Sequence, residues 1–395
     1  MTAVPARWVA MFVFMLVTSI SFLDRQILPA LAVTIQSEFH LSSGQFGDLL
    51  AAFSILYALG APVAGVLIDR LGLNMGISAA LALWSLAGIA TGFAGSFGAL
   101  LACRGWLGLT SSATIPANGK AVGLYLEPQE RSLGSASGQL GISIGLITAP
   151  LLASVLAATY GWRWAFITAG LGGLLWIPLW LWVSLRIPHR PATAPQTGSA
   201  TTLLRDRRLW WLMLANMFCM STYNLWANWT THLLVNVYGL TEEQANFGRA
   251  WIPPVFAALG GLLGGTLALR FAKKSRSNVD ARLRASLLGA AALIVTAGVP
   301  YLPNSTLATA AISWSFFWTV AFSVNLYALP IDYFGPARAA SGIGALTFAY
   351  GLMQTVANPM IGRVVDSHGF GPVCAVMSVL PLGAWIILKS TARPA

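Results

Sequence analysis

Charge is scarce in this chain: Asp, Glu, Lys and Arg together make up 9% of its 395 residues, where a soluble domain carries roughly 25% to clothe its surface. Water is therefore excluded as the main solvent. Cysteine is rarer still, with Cys103, Cys219 and Cys374 all inside apolar runs; neither an oxidised framework nor a metal cluster is indicated, and the three read as packing residues. Four scattered histidines offer no His/Cys/Glu metal spacing and no Ser/His/Asp grouping, and no G-x-x-x-x-G-K-[ST] loop is present. Hydrolytic enzymes and ATP-driven pumps are thereby disfavoured, and the chain is expected to be no enzyme and to need no cofactor.

What the sequence does have is apolar length. Hydrophobic residues make up 56% of it, in recurring runs of about 20 or more, the length an α-helix needs to cross roughly 30 Å of hydrocarbon. Twelve spans are predicted, over residues 8–36, 45–69, 75–94, 98–126, 132–158, 163–186, 208–238, 246–271, 282–302, 304–331, 339–364 and 370–390. The first is read as a membrane helix and not a removable leader, because Asp24 and Arg25 interrupt it and no small-residue cleavage site follows. The fold class is thus all-α integral membrane.

A net charge of +11 raises the question of a nucleic-acid partner, and the placement of the cations answers it. With the N-terminus inside, most of the 23 Lys and Arg residues fall in cytoplasmic segments, and only Arg163, Arg249 and Arg363 fall on the opposite side. That is the positive-inside pattern of a multi-pass inner-membrane protein with both termini cytoplasmic; its partner is the lipid bilayer, not nucleic acid. The longest polar stretch, rich in Pro, Thr, Ser, Ala and Arg, reads as a linker over 188–207 between six-helix halves at 1–187 and 208–395. Such 6+6 plans recur among secondary transporters, with the substrate site near the bilayer midplane between the halves.

After the second span stands Gly65-Val-Leu-Ile-Asp69-Arg70-Leu-Gly72, which resembles the loop signature of the major facilitator superfamily, G-x-L-x-D-R-x-G. Asp69 and Arg70 are expected to end the helix at the cytoplasmic face, and Gly65 and Gly72 to admit a close neighbour. Finer likenesses are Phe22-Leu-Asp24-Arg25-Gln-Ile-Leu, Arg104 with Leu107-Gly108, Pro116 with Lys120, Glu130-Arg131, Gly145 with Ala149-Pro150, and Tyr160-Gly-Trp-Arg163-Trp-Ala-Phe166. Together they resemble the anion:cation symporter family, which includes hexuronate, glucarate, D-galactonate and phthalate permeases. The match is dense over residues 8–185 and thinner beyond. It departs at Ser111, which stands where these permeases commonly carry a glutamate used in proton coupling.

Arg25 and Arg104 sit within predicted spans, where an arginine costs several kcal/mol unless paired or hydrated and so marks a functional candidate. Arg25 lies roughly 16 Å and Arg104 roughly 9 Å of helical rise from the outer ends of their spans, depths from which they can share one cavity. A guanidinium matches a carboxylate with two parallel hydrogen bonds, so substrate binding is one reading of Arg25; a structural pair with Asp24 or with carbonyls of another helix is the other. Asp24 is the deepest acid and the proton-coupling candidate, its pKa left open by sequence. Tyr57, Gln139, Asn224, Asn228, Asn325 and Gln354 are further midspan polar groups suited to a hydroxylated acid, although each alone is more often helix-packing glue. Ser143, Tyr223 and Asn358 join them, four tryptophans (Trp226, Trp229, Trp314, Trp318) are candidates for an apolar part of the ligand, and His232 is expected near the outer interface.

The expectation is a monomeric secondary transporter working by alternating access on a small organic anion, a sugar acid or other monocarboxylate, with a proton or another cation as coupling partner. An exporter of drugs or amphiphiles, or a spinster-like lipid carrier of the same superfamily, is the alternative. No metal is expected.

Overall fold

The computed structural model describes residues 6–127, 130–187, 203–273, 275 and 277–391. Of the expected linker 188–207, residues 188–202 lie outside the described residues. The chain divides into two compact units, one formed by Met1–Leu41 with Asp48–Ala194, the other by Ser42–Gly47 with Pro195–Ala395.

The first unit contains α1 (Ala6–Ala30), α2 (Ala32–Phe39), most of α3 (Ser43–Leu71), α4 (Leu73–Gly92), α5 (Phe97–Ser111), α6 (Thr114–Tyr125), α7 (Arg131–Tyr160) and α8 (Trp162–Arg186). Lipid tails are as apolar as leucine, so helices in a membrane associate through close packing of small residues and not through hydrophobic exclusion. Gly141 and Gly145 of α7 lie against the Met15 and Ser19 carbonyls of α1, Gly170 of α8 against the Ser85 carbonyl of α4, and Gly108 of α5 against the Phe53 carbonyl of α3, each too close for a Cβ. Beside these seams an aromatic core joins Phe14, Trp176, Trp180 and Tyr125, and Trp176 Nε1 donates to the Val13 carbonyl at 2.7 Å.

In this unit two of the predicted spans are not continuous α-helices. The first breaks at Leu31, just after Pro29, and the fourth breaks at Ser112 and Ala113, ahead of Pro116. A proline withholds one amide hydrogen and crowds the carbonyl four residues earlier, so each break follows from the chain itself. The ends of the unit are tied by charge. Arg7 pairs with Glu130 at 2.9 Å and Glu127 at 3.3 Å, while Arg163 pairs with Glu38 at 2.7 Å, which also accepts the Trp162 indole hydrogen.

The second unit contains α9 (Arg207–Tyr238), α10 (Glu242–Ala245), a π-helical turn (Asn246–Ala250), α11 (Ile252–Ala272), α12 (Asn278–Ala292) continued as a 3-10 helix (Leu293–Tyr301), α13 (Ser305–Phe334), α14 (Pro336–His368) and α15 (Phe370–Thr391). Gly260 and Gly264 of α11 meet the Phe317 and Ala321 carbonyls of α13, and Arg282 of α12 pairs with Asp332 of α13 at 2.6 Å. The first residues of α3 belong here: Asp366 of α14 accepts the backbone N–H of Ser43 and of Gly44, both at 2.8 Å. Those amides have no partner within their own helix, so an aspartate placed there serves as a cap from outside.

Among the described residues nine helices are long and apolar enough to cross a membrane. The other three predicted spans are α5 with α6, each short because of the break, and α9 and α14, long helices with Asn224, Asn228, Gln354 and Asn358 in their middles. Those amide side chains lower the hydropathy of α9 and α14.

Candidate functional site

In the first unit, the Arg25 guanidinium lies over three rings: Phe53 at 4.9 Å, Tyr57 at 5.7 Å and Phe22 at 5.9 Å. Arg104, 1% exposed, approaches the same Phe53 ring at 5.2 Å. Two guanidinium groups thus share one aromatic surface. Ring faces carry negative potential and attract cations by about 0.5–2 kcal/mol, which offsets part of the repulsion between the two charges. Phe53 and Tyr57, four residues apart, lie one above the other on α3, the spacing that puts side chains on one helix face.

Arg104 is anchored by an atom that the sequence itself frees. Pro29 has no amide hydrogen to give to the carbonyl of Arg25, four residues earlier, so that oxygen lacks its helical donor. Arg104 Nη2 donates to it at 3.3 Å. The remaining Arg104 nitrogens, Nε and Nη1, are buried with no hydrogen-bond partner, as is Oδ2 of Asp24. Asp24 is 4% exposed, and Arg104 is a cation acting on it from another helix. With Asp24 ionised, this cluster of two guanidiniums and one carboxylate carries an excess of one positive charge. Arg25 stays half-buried. Close by, Thr114 Oγ1 contacts Ser21 Oγ at 3.1 Å and donates to the Ser111 carbonyl at 2.8 Å, while the Ser111 hydroxyl donates to the Gly108 carbonyl at 3.4 Å.

In the second unit the side-chain amides of α9 and α14 form one connected network. Asn224 Nδ2 donates to Asn358 Oδ1 at 2.9 Å. Asn228 Nδ2 and Gln354 Nε2 both donate to Asn224 Oδ1, each at 2.8 Å. Trp229 Nε1 donates to Asn358 Oδ1 at 3.2 Å, and Gln354 Nε2 also reaches the Tyr350 hydroxyl at 2.9 Å. Both accepting oxygens are saturated, yet Asn358 Nδ2 has no hydrogen-bond partner. A buried amide hydrogen without an acceptor costs about 1–3 kcal/mol, so this donor is set to receive one.

The sequence-expected residues separate accordingly. Arg25, Tyr57, Arg104 and Asp24 come together in the first unit; Asn224, Asn228 and Gln354 come together in the second. Gln139 is exposed on α7 and meets none of the first group in the hydrogen bonds described. Asn325 Nδ2 instead donates to the Gly264 carbonyl at 3.0 Å across the α11–α13 seam and to the Ala321 carbonyl of its own helix at 2.9 Å. His232, expected at the interface, is fully buried among the rings of Phe46, Trp229 and Phe370. Trp229 is a buried hydrogen-bond donor, while Trp314 is exposed and donates to the Ala292 carbonyl at 3.1 Å. Asp69 and Arg70 do end α3, with Asp69 accepting from Lys120 Nζ at 3.0 Å. Neither motif glycine is placed by a close approach: Gly72 has φ +81° at the start of α4, where a side chain is strained, and a Cβ on Gly65 would make only ordinary contact with Pro116. Phe53, the ring both arginines use, was missed; its i, i+4 spacing from Tyr57 was the available signal.

The profile described as Major Facilitator Superfamily matches residues 8–357. The chain is similar to the hexuronate transporter of Escherichia coli (strain K12), 30% identical and aligned over 97% of this chain and 94% of that protein. It is also similar to the galacturonate transporter of Dickeya chrysanthemi, 29% identical over 78% of this chain and 96% of that protein. In fold it resembles the crystal structures of a bacterial homolog to the human lysosomal transporter Spinster, in inward-facing occupied and unoccupied conformations, with a TM-score of 0.77 at 19% identity over 99% of this chain and 96% of that one.

Proposed function

The chain belongs to the major facilitator superfamily, in its anion:cation symporter branch, and from that membership we propose that this multi-pass membrane transporter moves a hexuronate-like sugar acid. It works by alternating access, with 1–187 and 208–395 as the moving halves and 188–207 joining them, as a monomer in a bacterial inner membrane with both termini cytoplasmic. Arg25 takes the substrate carboxylate through its planar fork, and Arg104, held by the Arg25 carbonyl, adds the second positive charge. Tyr57 borders the carboxylate. The amides of Asn224, Asn228 and Gln354 suit ring hydroxyls, which both donate and accept. Asp24 is the group through which a proton enters the cycle: protonating it raises the excess charge of the cluster, and losing the proton lowers it, a means of linking anion affinity to proton binding.

One observation carries this reading: two guanidiniums share the Phe53 ring within a membrane helix bundle against a single buried carboxylate. The relatives named as hexuronate and galacturonate transporters support the substrate class. Uptake of radiolabelled galacturonate and glucuronate into proteoliposomes containing the purified protein tests it. Accumulation that is saturable and lost in Arg25→Ala is expected; undiminished uptake by that variant would overturn the assignment.

A further inference from the structure

A second feature, wholly within the second unit and independent of the substrate reading, has the character of a ligand site. A cavity of about 400 Å³ is lined by Arg249, Ile252 and Phe256 from the π-helical turn and α11, and by Thr306, Thr309, Ala310, Ser313, Trp314 and Phe317 from α13. The lining positions recur every three or four residues on each side, so one face of each helix forms each wall. Below the cavity the helices touch, where Gly260 meets the Phe317 carbonyl without room for a Cβ. Above that contact larger side chains hold them apart.

The walls are apolar in effect. The Thr309 and Ser313 hydroxyls donate to the Ser305 and Thr309 carbonyls at 2.8 and 2.7 Å, leaving few free donors. At the mouth stands Arg249, with no carboxylate paired to it among the described residues. Its position is fixed by the turn that carries it. Pro253 and Pro254 cannot donate to the carbonyls of Arg249 and Ala250, so the ordinary ladder fails there and the turn widens into π geometry, a form frequent at functional sites. Asn246, at the start of the turn, is held by Thr231 Oγ1 at 2.7 Å.

From Thr306 to Phe317 the helix rises roughly 16 Å at 1.5 Å per residue. One leaflet of hydrocarbon is about half of 30 Å. A groove of leaflet depth, apolar along its length, with one cation at its open end and the exposed Phe256 and Trp314 along its side, matches one kind of molecule in charge and in dimension. We propose that this groove is a binding site for a phospholipid, whose acyl chain lies between α11 and α13 down to the Gly260–Phe317 contact and whose phosphate pairs with Arg249.

Native mass spectrometry of the full chain in detergent, titrated with dioleoylphosphatidylglycerol, tests this. The wild type should hold one lipid. Arg249→Gln should weaken it about tenfold, the loss of one charge-assisted contact, and Ala310→Phe, which fills the groove, should remove it. Dioleoylglycerol, which lacks the phosphate, should bind about tenfold more weakly than the phospholipid to the wild type and no differently to Arg249→Gln. Inorganic phosphate should leave the lipid-bound fraction unchanged. Equal lipid retention by wild type and Arg249→Gln, equal binding of the phosphate-free lipid, or displacement by inorganic phosphate would each overturn the proposal. If Ala310→Phe folds poorly, the Arg249→Gln comparison still decides. Galacturonate binding by Arg249→Gln should match the wild type, so failure of the substrate reading and failure of this one are read separately.

Discussion

Pro29 and Arg104 meet through one atom, the carbonyl oxygen of Arg25, which the first leaves without a helical donor and the second supplies with one at 3.3 Å. Replacing Pro29 with alanine restores an amide hydrogen to compete for that oxygen. Pro29→Ala should therefore be at least as stable as the wild type by thermal unfolding, yet raise KM for sugar-acid uptake several-fold because Arg104 loses its anchor. An unchanged KM would show that the anchor does not matter.

Arg25→Lys keeps the charge and discards the fork. Uptake at subsaturating substrate should fall at least tenfold, since a hydrogen bond to a charged group contributes about 1.5–3 kcal/mol and roughly 1.4 kcal/mol is tenfold. Transport near wild-type rates would argue that only charge is read.

Phe53→Leu keeps apolar volume but removes the ring shared by both guanidiniums. A loss of about 0.5–2 kcal/mol of cation–ring attraction should appear as a roughly two- to thirtyfold weaker substrate affinity, read from the concentration dependence of the substrate-induced thermal shift, with the folded yield unchanged. Gly108→Ala gives the contrasting result. Its methyl group would collide with the Phe53 carbonyl, so α3 and α5 must separate, and overpacking of this kind costs about 1–3 kcal/mol. A lowered melting temperature with or without substrate is expected; a melting temperature like that of the wild type would show that the seam can relax.

Glu130 gives a prediction in pH. It accepts the Glu127 backbone N–H, and the side chains of Arg7 and Trp8 donate to it as well; with the backbone N–H the largest influence, these hold its carboxyl below the usual glutamate range. A depressed folded pKa means that the stabilisation is fully present above the unfolded value of about 4.3 and is lost as pH falls through the folded one. The melting-temperature gap between wild type and Glu130→Gln should hold steady at neutral pH and close under acid. A gap that widened on acidification would refute the sign.

The spans were legible because hydropathy and cation placement report the same thing twice, and the predicted ends fall within a few residues of the helices. The two breaks were legible in principle, since Pro29 and Pro116 stand in the sequence four residues after Arg25 and Ser112. Arg25, Asp24 and Arg104 stood out because charge in a membrane is costly. The sequence could not show that Asp24 answers to Arg104 across 80 residues of chain, or that Asn224 finds Gln354 and Asn358, because pairing between distant helices leaves no periodic trace. Asn325 looked equivalent to those amides in the sequence and differs only in what stands opposite, the Gly264 carbonyl.

The interruption at Ser112 and Ala113 divides labour along what would otherwise be one rod. Arg104 rides on α5 and Lys120 on α6, so the Lys120–Asp69 ion pair and the hydrogen bond of Arg104 to the Arg25 carbonyl are not fixed to one rigid axis. A continuous helix would tie the two contacts together; a jointed one lets each settle on its own partner.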